Sequence, residues 1–347
     1  MATIYDVVNP QLTSVRWTET EEDRVPYLLE AWFPGRKQMG TEISYFKGKK
    51  PSVRPLDLSA YDVPALPIAR EAFEKVTTEI PFFKNKVSIN EKLRQELLKV
   101  LATGNQAYIN AVLDQIYNDN KTLLDDARLT REMMRAMLLT TGMIAFQSNG
   151  QAVAYDYGVP ASNKVTASWN DASTANPIED IIAYMDAVEA KTGVRPTNIV
   201  MNRNTFAKIK KAESIRNSVV ALTSVLGGSV TLNDAKVKAF ILDETGATLY
   251  IYDKGYYNKS ENKFVKFIAD NTFVIFPDNA LGETVFGTTP EEADLMSGTD
   301  AVVELVDLGV AITTWKETDP VRVDTKVSMS VVPTLEMPEA IVIGTIA

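Results

Sequence analysis

The chain has 347 residues, enough for about two domains at roughly 150 residues per domain. It has no cysteine and no histidine, which excludes disulfides, thiolate or imidazole metal sites, and catalysis by either side chain. The net charge is −9 (36 basic minus 45 acidic residues), and 45% of the residues are apolar, as in a folded soluble protein. No apolar run is long enough to span a membrane, and we expect no secretory signal. The composition favours a structural or binding role over an enzymatic one.

The N-terminal quarter is rich in proline and aromatic residues. Eight of the sixteen prolines lie within the first 81 residues, where they disfavour helix interiors and central strands. We therefore expect an arm over residues 1–40, with a short helical piece near Val25–Ala31, and a long irregular hairpin over 41–89. The aromatic residues make this quarter too apolar for a solvated tail, so it needs a covering surface on its own domain or on neighbouring subunits.

Charges in this quarter are segregated by sign. Because the whole chain is acidic and an acidic run lies just upstream, we expect the basic cluster to meet an acidic protein surface rather than nucleic acid. Only Glu42 accompanies the basic cluster, which consists of Arg36, Lys37, Lys47, Lys49, Lys50 and Arg54.

The proline-free stretch that follows has helical periodicity. Apolar residues recur three and four positions apart from Ile109 to Tyr117 and again from Leu123 to Thr141. A continuous helix over 106–148 would be about 65 Å long, with Gly104 as a possible break before it and Asn118–Asn120 as another within it.

An α/β region is predicted next. Asn176 is expected to cap a helix that starts at Pro177 and stops at Gly193, and Thr197–Met201 to form a buried strand before a helix from Asn204 to Lys211. Gly227-Gly228-Ser229 lacks the spacing of a phosphate loop and is predicted to be a turn. Three antiparallel strands are expected, of which the first two are joined by a turn: Leu249–Tyr252, Phe264–Ile268 and Thr272–Phe276.

The last part of the chain combines an acidic segment with apolar strands. No Lys or Arg occurs between Lys266 and Lys316, whereas nine acidic residues do, which predicts a solvated acidic surface, a cation site or a face kept clear of nucleic acid. Apolar residues alternate from Val321 to Met329, and the apolar terminus Ile341–Ala347 is expected to dock in a sheet.

Short landmarks occur in a fixed order along the chain. They are an extended segment before a helix with Arg128-Leu-Thr-Arg131-Glu-Met, the helix Asn176-Pro-Ile-Glu-Asp180 with the strand Asn198-Ile-Val-Met201, Phe276-Pro277-Asp278-Asn279, and finally Asp319-Pro320, Val332-Pro333 and Met337-Pro338-Glu339. In this order the chain resembles the phage lambda-type major capsid proteins (the major capsid protein E family). The resemblance runs from about Gly40 to the end, and residues 210–250 match least.

The resemblance implies the Hong Kong 97-type phage capsid fold, an α+β class. It implies an N-terminal arm (1–40), an extended loop (41–89), a peripheral domain with a spine helix (90–169 and 316–347) and an axial domain (170–315). The chain would then be a major capsid protein, found in the virion and assembled in the host cytoplasm. It would associate with itself as hexamers and pentamers, with a scaffolding protein, a portal and possibly a decoration protein, around double-stranded DNA without sequence-specific contact.

Candidate subunit contacts follow from the apolar and basic residues of the arm and loop. Modest contacts repeated around each subunit would sum to a stable shell. The residues concerned are Trp32, Phe33, Tyr45, Phe46, Ile68, Phe73, Phe82, Phe83, Arg36, Lys47 and Arg54.

Three other hypotheses remain at this stage. A capsid-fold nanocompartment would enclose protein instead of DNA. A carboxylate-based hydrolase would need a pair such as Glu291–Glu292 or Asp125–Asp126 across a cleft, which the sequence cannot place. Some proteins of this fold cross-link a lysine to an asparagine between subunits, although lysines on a loop are usually solvated. No catalytic residue, metal site or cofactor is predicted.

Overall fold

The computed structural model describes most of the chain and divides it into two compact units. The first unit combines ranges 1–43, 78–135 and 282–334, and the second combines 44–77, 136–281 and 335–347. The described residues are 9–20, 26–47, 74–89, 91–148, 150–223, 232–258, 261–279, 281–293 and 301–347.

Helices are distributed over both units. In chain order they are α1 (Pro10–Glu19), α2 (Glu91–Thr103), α3 (Gln106–Thr141), α4 (Pro177–Thr192), α5 (Arg203–Lys211), α6 (Glu213–Thr223), α7 (Asp234–Thr245) and α8 (Pro290–Ala293).

The first strands belong to the N-terminal half. They are β1 (Gly35–Lys37), β2 (Glu42–Lys47), β3 (Glu74–Glu79), β4 (Phe82–Ile89), β5 (Met143–Ser148), β6 (Gln151–Asp156) and β7 (Lys164–Ala167).

The other strands follow α4. They are β8 (Asn198–Met201), β9 (Thr248–Ile251), β10 (Gly255–Asn258), β11 (Lys263–Lys266), β12 (Thr272–Phe276), β13 (Thr284–Phe286), β14 (Ala301–Asp307), β15 (Val310–Thr318), β16 (Val321–Pro333) and β17 (Val342–Ile346).

The first unit is organised by one sheet around β16. Its strands run in the order β1-β13-β16-β15-β14, and β4 also pairs with β16. The alternation predicted for this part of the chain produces a strand of 13 residues, which pairs with β15 along one edge and with β4 and β13 along the other. Strand β4, the last part of the extended loop, is therefore held by the longest strand of the unit.

Helix α3 continues without a break through Asn118–Asn120. Gly104, with a φ of +65°, separates it from α2, and Gly142, with a φ of +78°, follows its last residue, Thr141, which lies seven residues before the predicted end. Its 36 residues span about 54 Å rather than 65 Å. The predicted break at Gly104 is confirmed, because a left-handed residue stops the helical hydrogen-bond pattern.

The second unit is built on a five-stranded sheet covered by helices. The strand order is β7-β17-β12-β8-β9, so the last strand of the chain lies between β7 and β12. The predicted docking of the apolar C-terminus in a sheet is confirmed. The contacts place residues 316–334 in the first unit and 335–347 in the second, and the peripheral domain (90–169 and 316–347) and axial domain (170–315) stay predictions.

Apolar contacts fill the second unit. Ile181, Met185 and Val188 of α4 face the sheet, and the Trp169 and Phe273 rings stack with their centroids 4.6 Å apart. Gly344 packs so closely that a Cβ there would lie 2.0 Å from the Phe273 ring. Only glycine fits this position without moving the core.

Strand pairing near residue 250 differs from the prediction. Strand β9 pairs in parallel with β8 instead of forming a hairpin with the following strand, and the partner of β11 is β10. Strand β12 pairs with β8 and β17. The predicted pairing of these strands was wrong because short strands of similar composition do not specify which neighbour they join.

Two helix boundaries also differ. Helix α5 begins at Arg203 rather than at Asn204, and the Asn202 side chain caps it by accepting a hydrogen bond from the Thr205 backbone N–H at 2.8 Å. In the arm, the described residues contain helix α1, which was not predicted, and the expected piece near Val25–Ala31 is a 3₁₀ turn over Leu28–Ala31. Gly227-Gly228-Ser229 lies outside the described residues.

Candidate assembly surfaces

Buried charges on α3 hold the arm to its own subunit. Glu132, whose side chain is fully buried, accepts a hydrogen bond from the Leu29 backbone N–H at 3.1 Å and lies 3.4 Å from the Arg135 guanidinium. Arg135 in turn donates from Nε to Thr284 Oγ1 at 3.0 Å, and that hydroxyl donates to the Phe33 carbonyl at 2.9 Å. The arm is thereby connected to a helix and a strand that are distant in sequence.

Two further arginines of α3 extend this contact. Arg131 pairs with Asp307 at 2.9 Å and lies over the Phe286 ring, while Arg128 lies over the Tyr27 ring at 5.4 Å. Burial raises the pKa of the Tyr27 hydroxyl and lowers the pKa of the Arg135 guanidinium. Both shifts reflect a water-poor environment, in which charged hydrogen bonds are strong.

The basic residues at the end of the arm pair within the chain. Arg36 forms an ion pair with Glu283, and Lys37 Nζ lies 2.6 Å from Glu292. We expected an acidic partner for this cluster in the run just upstream, but these two basic residues meet the acidic segment between Lys266 and Lys316 instead. Part of that segment therefore neutralises the arm of its own subunit.

The base of the extended loop is fixed by a buried carboxylate. Asp324 of β16, whose side chain is fully buried, accepts a hydrogen bond from Lys86 Nζ of β4 at 2.8 Å and lies 3.3 Å from Arg322 Nε. Burial raises the pKa of Asp324, but the hydrogen bonds from Lys86 and Ser88 and the nearby cations lower it more, so its pKa lies below the ordinary value.

A second pair lies beside the first on the same sheet. Lys326 Nζ is 2.5 Å from Glu291 of α8, and burial of Glu291 is again outweighed by hydrogen bonding, which lowers the pKa of that carboxyl. The Trp315 ring is near both lysines, 5.7 Å from Lys86 Nζ and 5.7 Å from Lys326 Nζ. Both contacts are within the range of cation–π attraction.

These buried charges hold segments of the subunit together, and a comparison with known families shows to which family the chain belongs. The model of the phage major capsid protein E family matches residues 16–346. The chain belongs to the phage major capsid protein E family. Copies of this capsid protein form the icosahedral shell of a phage particle, so it is located in the virion capsid.

Solved structures give the same fold. A protein assigned as a prophage capsid protein of E. coli CFT073 is similar with a TM-score of 0.54 and 15% identity, over 79% of this chain and 80% of that chain. A phage-related protein of Bordetella bronchiseptica RB50 also has a TM-score of 0.54, with 11% identity over 97% of each chain. The predicted Hong Kong 97-type α+β fold is therefore confirmed. Among curated proteins, no sequence matches the capsid protein.

Apart from Arg36, which pairs with Glu283, the predicted contact residues fall into four groups. Trp32 and Phe33 are buried in the subunit's own core, which leaves little of them for a neighbouring chain to contact. Phe82 and Phe83 lie at the start of β4, where Phe82 is 40% exposed and Phe83 half-buried. Tyr45, Phe46 and Lys47 lie in β2, for which only the backbone is described, and Arg54, Ile68 and Phe73 lie outside the described residues.

Sequence reasoning missed the buried charges. Glu132 and Arg135 lie within the apolar stripe of α3, three residues apart, and that spacing could have identified them as a buried pair. Asp324 lies between the alternating apolar residues of β16, and alternation along one strand does not show that both of its faces are covered.

Other kinds of site find no support in the described part of the chain. No group of three or more acidic residues there could hold a metal ion. The helices described are too short or too polar to cross a membrane. Membership of a structural capsid family points to a role without catalysis.

Proposed function

We propose that the extended loop, residues 41–89, lies across a neighbouring subunit of the shell and that the fold of this region is completed there. The observation that carries the proposal is the pairing of β2 with β3 alone, in a two-stranded sheet separate from the other described strands. Two strands by themselves are marginally stable in water and need a third element to cover them.

Described side chains at the base of this two-stranded sheet are buried in the subunit. Ile43 and Ile80 are 2% and 5% exposed, and the Ile80 N–H donates to the Thr41 carbonyl at 2.7 Å. One step further out, Ser44 and Thr77 pair through their hydroxyls, 2.9 Å apart, and are exposed. The exposed Ser44–Thr77 pair is a surface that a neighbouring subunit could cover.

In the arm, we propose intersubunit contacts for a shorter segment than the sequence indicated. Residues 29–37 are occupied by contacts with their own subunit, so an intersubunit role falls to the preceding part. Helix α1 buries Thr13 and Trp17 and exposes Leu12 and Val15 at 55% and 54%. Leu12 and Val15 are the apolar side chains that a neighbour would cover.

The remaining partners follow from the role of a shell protein. We propose that the subunits associate as hexamers and pentamers, that residues 170–281 of the second unit belong to the axial domain, and that a scaffolding protein and a portal take part in assembly. The shell would enclose double-stranded DNA without sequence-specific contact, which the net negative charge favours. A decoration protein is a further candidate partner.

Replacing residues 48–73 with a short Gly-Ser turn tests the loop without disturbing β4. We expect the variant to remain folded by circular dichroism and to give capsomers or monomers but no shells by electron microscopy and size exclusion. A matched control keeps the length and composition of 48–73 in scrambled order and should fail in the same way if specific contacts are needed. Normal shells from both variants would overturn the proposal.

The contents of purified shells distinguish the phage particle from a nanocompartment. We expect nuclease-protected DNA in particles from infected cells, detected by the ratio of absorbance at the nucleic-acid and protein maxima. A protein cargo without DNA would support the nanocompartment instead.

A further inference from the structure

The end of the arm is bound to the segment that leads into helix α8. The Lys37 ammonium donates to both carboxylate oxygens of Glu292, at 2.8 and 2.6 Å, and to the Gly287 carbonyl at 3.0 Å. The side chains of Lys37 and Glu292 are only 31% and 13% exposed. Charged hydrogen bonds that are partly shielded from water are stronger than the ion pairs of an open surface.

The carboxylate that binds Lys37 is held in place by the start of α8. Glu292 also accepts the Thr289 backbone N–H at 3.0 Å, and the Thr289 hydroxyl accepts the Glu292 N–H at 3.4 Å. This reciprocal pair is the capping box of a helix N-terminus. The preceding residue, Glu291, connects α8 to Lys326 of β16 at 2.5 Å. Lys37 is therefore bound to an oriented carboxylate on a helix that is itself fixed to the sheet.

The extended loop begins directly after Gly40, and the same segment binds the backbone there. Gly40 donates its N–H to Thr288 Oγ1 at 3.0 Å, and its carbonyl accepts the Thr288 N–H at 2.9 Å. Gly40 has a φ of +95°, and no described atom beyond its chain neighbours lies within 4 Å of the position that a Cβ would occupy. Among the described residues, hydrogen bonds rather than side-chain packing therefore restrict the direction of the chain at Gly40.

We propose that Lys37 and Glu292 set the direction in which the extended loop leaves the subunit and thereby select the size of the shell. This inference rests on the proposed function of the loop and names the residues that position it. Strand β2 has six residues and is about 20 Å long, so a rotation of about 10° at its base moves its far end by about 3.5 Å. Hydrogen-bond distances vary by only about 0.5 Å, so contacts with a neighbour would change. The rotation between copies determines where a repeated contact closes.

Lys37→Met tests the proposal, because methionine keeps most of the apolar stem of lysine and removes its charge. We expect the free subunit to stay folded by circular dichroism, and the diameters of its shells in electron micrographs to spread several-fold more widely than those of the unmodified chain. Lys37→Arg keeps the cation and should restore the narrow distribution. Thr288→Val removes the hydroxyl that accepts the Gly40 N–H and should widen the distribution as well.

Arg36→Met is the matched control. Arg36 precedes Lys37 on β1 and also forms an ion pair, but its partner Glu283 lies before β13 and not on α8, and the two side chains are 47% and 35% exposed. Its loss should leave the shell diameters unchanged, even if Arg36→Met and Lys37→Met lower the thermal midpoint of the free subunit equally. The diameter therefore separates a positioning role from a contribution to stability.

Unchanged diameters from both Lys37→Met and Thr288→Val, or an equal spread from Arg36→Met, overturn the proposal. Folded Lys37→Met subunits that form no shells, while Lys37→Arg forms normal ones, support it. If Lys37→Met does not fold, Glu292→Gln provides the same comparison, since it keeps an oxygen for the Thr289 N–H and removes the charge. Normal shells after replacement of residues 48–73 would instead contradict the role of the loop, so the two failures are distinguishable.

Discussion

The two units of the capsid subunit are stabilised by different interactions. In the second unit the interior between sheet and helices is apolar, from Trp169 and Phe273 to Ile181 and Val188. In the first unit charged side chains such as Glu132, Arg135 and Asp324 are buried along with the apolar ones. Burial of a charge is costly unless it is paired, so the first unit depends on partners that must be present together.

The difference follows from how each unit is assembled along the chain. The second unit takes most of its residues from one continuous range, whereas the first joins segments more than 100 residues apart, as in the contact of Leu29 with Glu132. An apolar core tolerates many arrangements of similar volume, but a buried charge is satisfied by few. We infer that the buried ion pairs favour the native contacts between distant segments over other arrangements.

The largest effect is expected from breaking the buried pair on α3. Arg135→Ala leaves Glu132 without its cation and should lower the free energy of unfolding by about 3–5 kcal/mol. Urea denaturation of the free subunit measures this. The double variant Glu132→Met with Arg135→Met should recover a large part of the loss, since an apolar pair leaves no buried charge; a double variant as unstable as the sum of both single variants would contradict this.

The pair at the base of the loop should make the first unit sensitive to acid. The pKa of Asp324 is lowered in the folded protein, so its contribution is present above the unfolded pKa of about 3.9 and is lost as the pH falls through the folded value. Asp324→Asn should cost about 1.5–3 kcal/mol at neutral pH, and the difference from the unmodified protein should shrink below about pH 4.

Unfolding free energies measured from pH 7 down to pH 3 test this, with Asp114→Asn as control. Asp114 forms a surface ion pair with Arg16 and is 64% exposed, so its loss should change stability by less than about 1 kcal/mol. Parallel pH curves for the unmodified protein and Asp324→Asn would contradict the role of this carboxylate.

The stability of the second unit, whose core is apolar, should depend on the volume of its buried side chains and not on their charge. Gly344→Ala forces a methyl group against the Phe273 ring and should cost about 1–3 kcal/mol, with no dependence on pH between 4 and 7. Adding Phe273→Leu should make the alanine less harmful in a double-mutant cycle. Thr345→Ala, at the exposed neighbour in β17, is the control and should have little effect.

Features that depend on neighbours in sequence were predicted correctly, whereas contacts between distant segments were not. Helical periodicity, the stop at Gly193 and the buried strand before Asn202 depend on neighbours in sequence, and each was found in the second unit. The contacts of Arg36 and Asp324 depend on segments that the chain brings together only when folded, and neither was predicted. Strand pairing of β9 failed for the same reason, because several short apolar strands could have been its neighbour.

The smallest effect is expected at the N-caps of helices α4 and α7. Asn176 occupies the cap position of α4, but its side chain makes no capping hydrogen bond, whereas Asn233 Oδ1 accepts the Lys236 N–H of α7 at 2.9 Å. Asn233→Ala should therefore cost about 1 kcal/mol and Asn176→Ala only a few tenths, measured as shifts in the urea midpoint. Pro177 already fixes the backbone at the first helical position of α4, which reduces the need for a side-chain cap. Equal losses for the two variants would show that the cap residue, rather than its hydrogen bond, determines where these helices start.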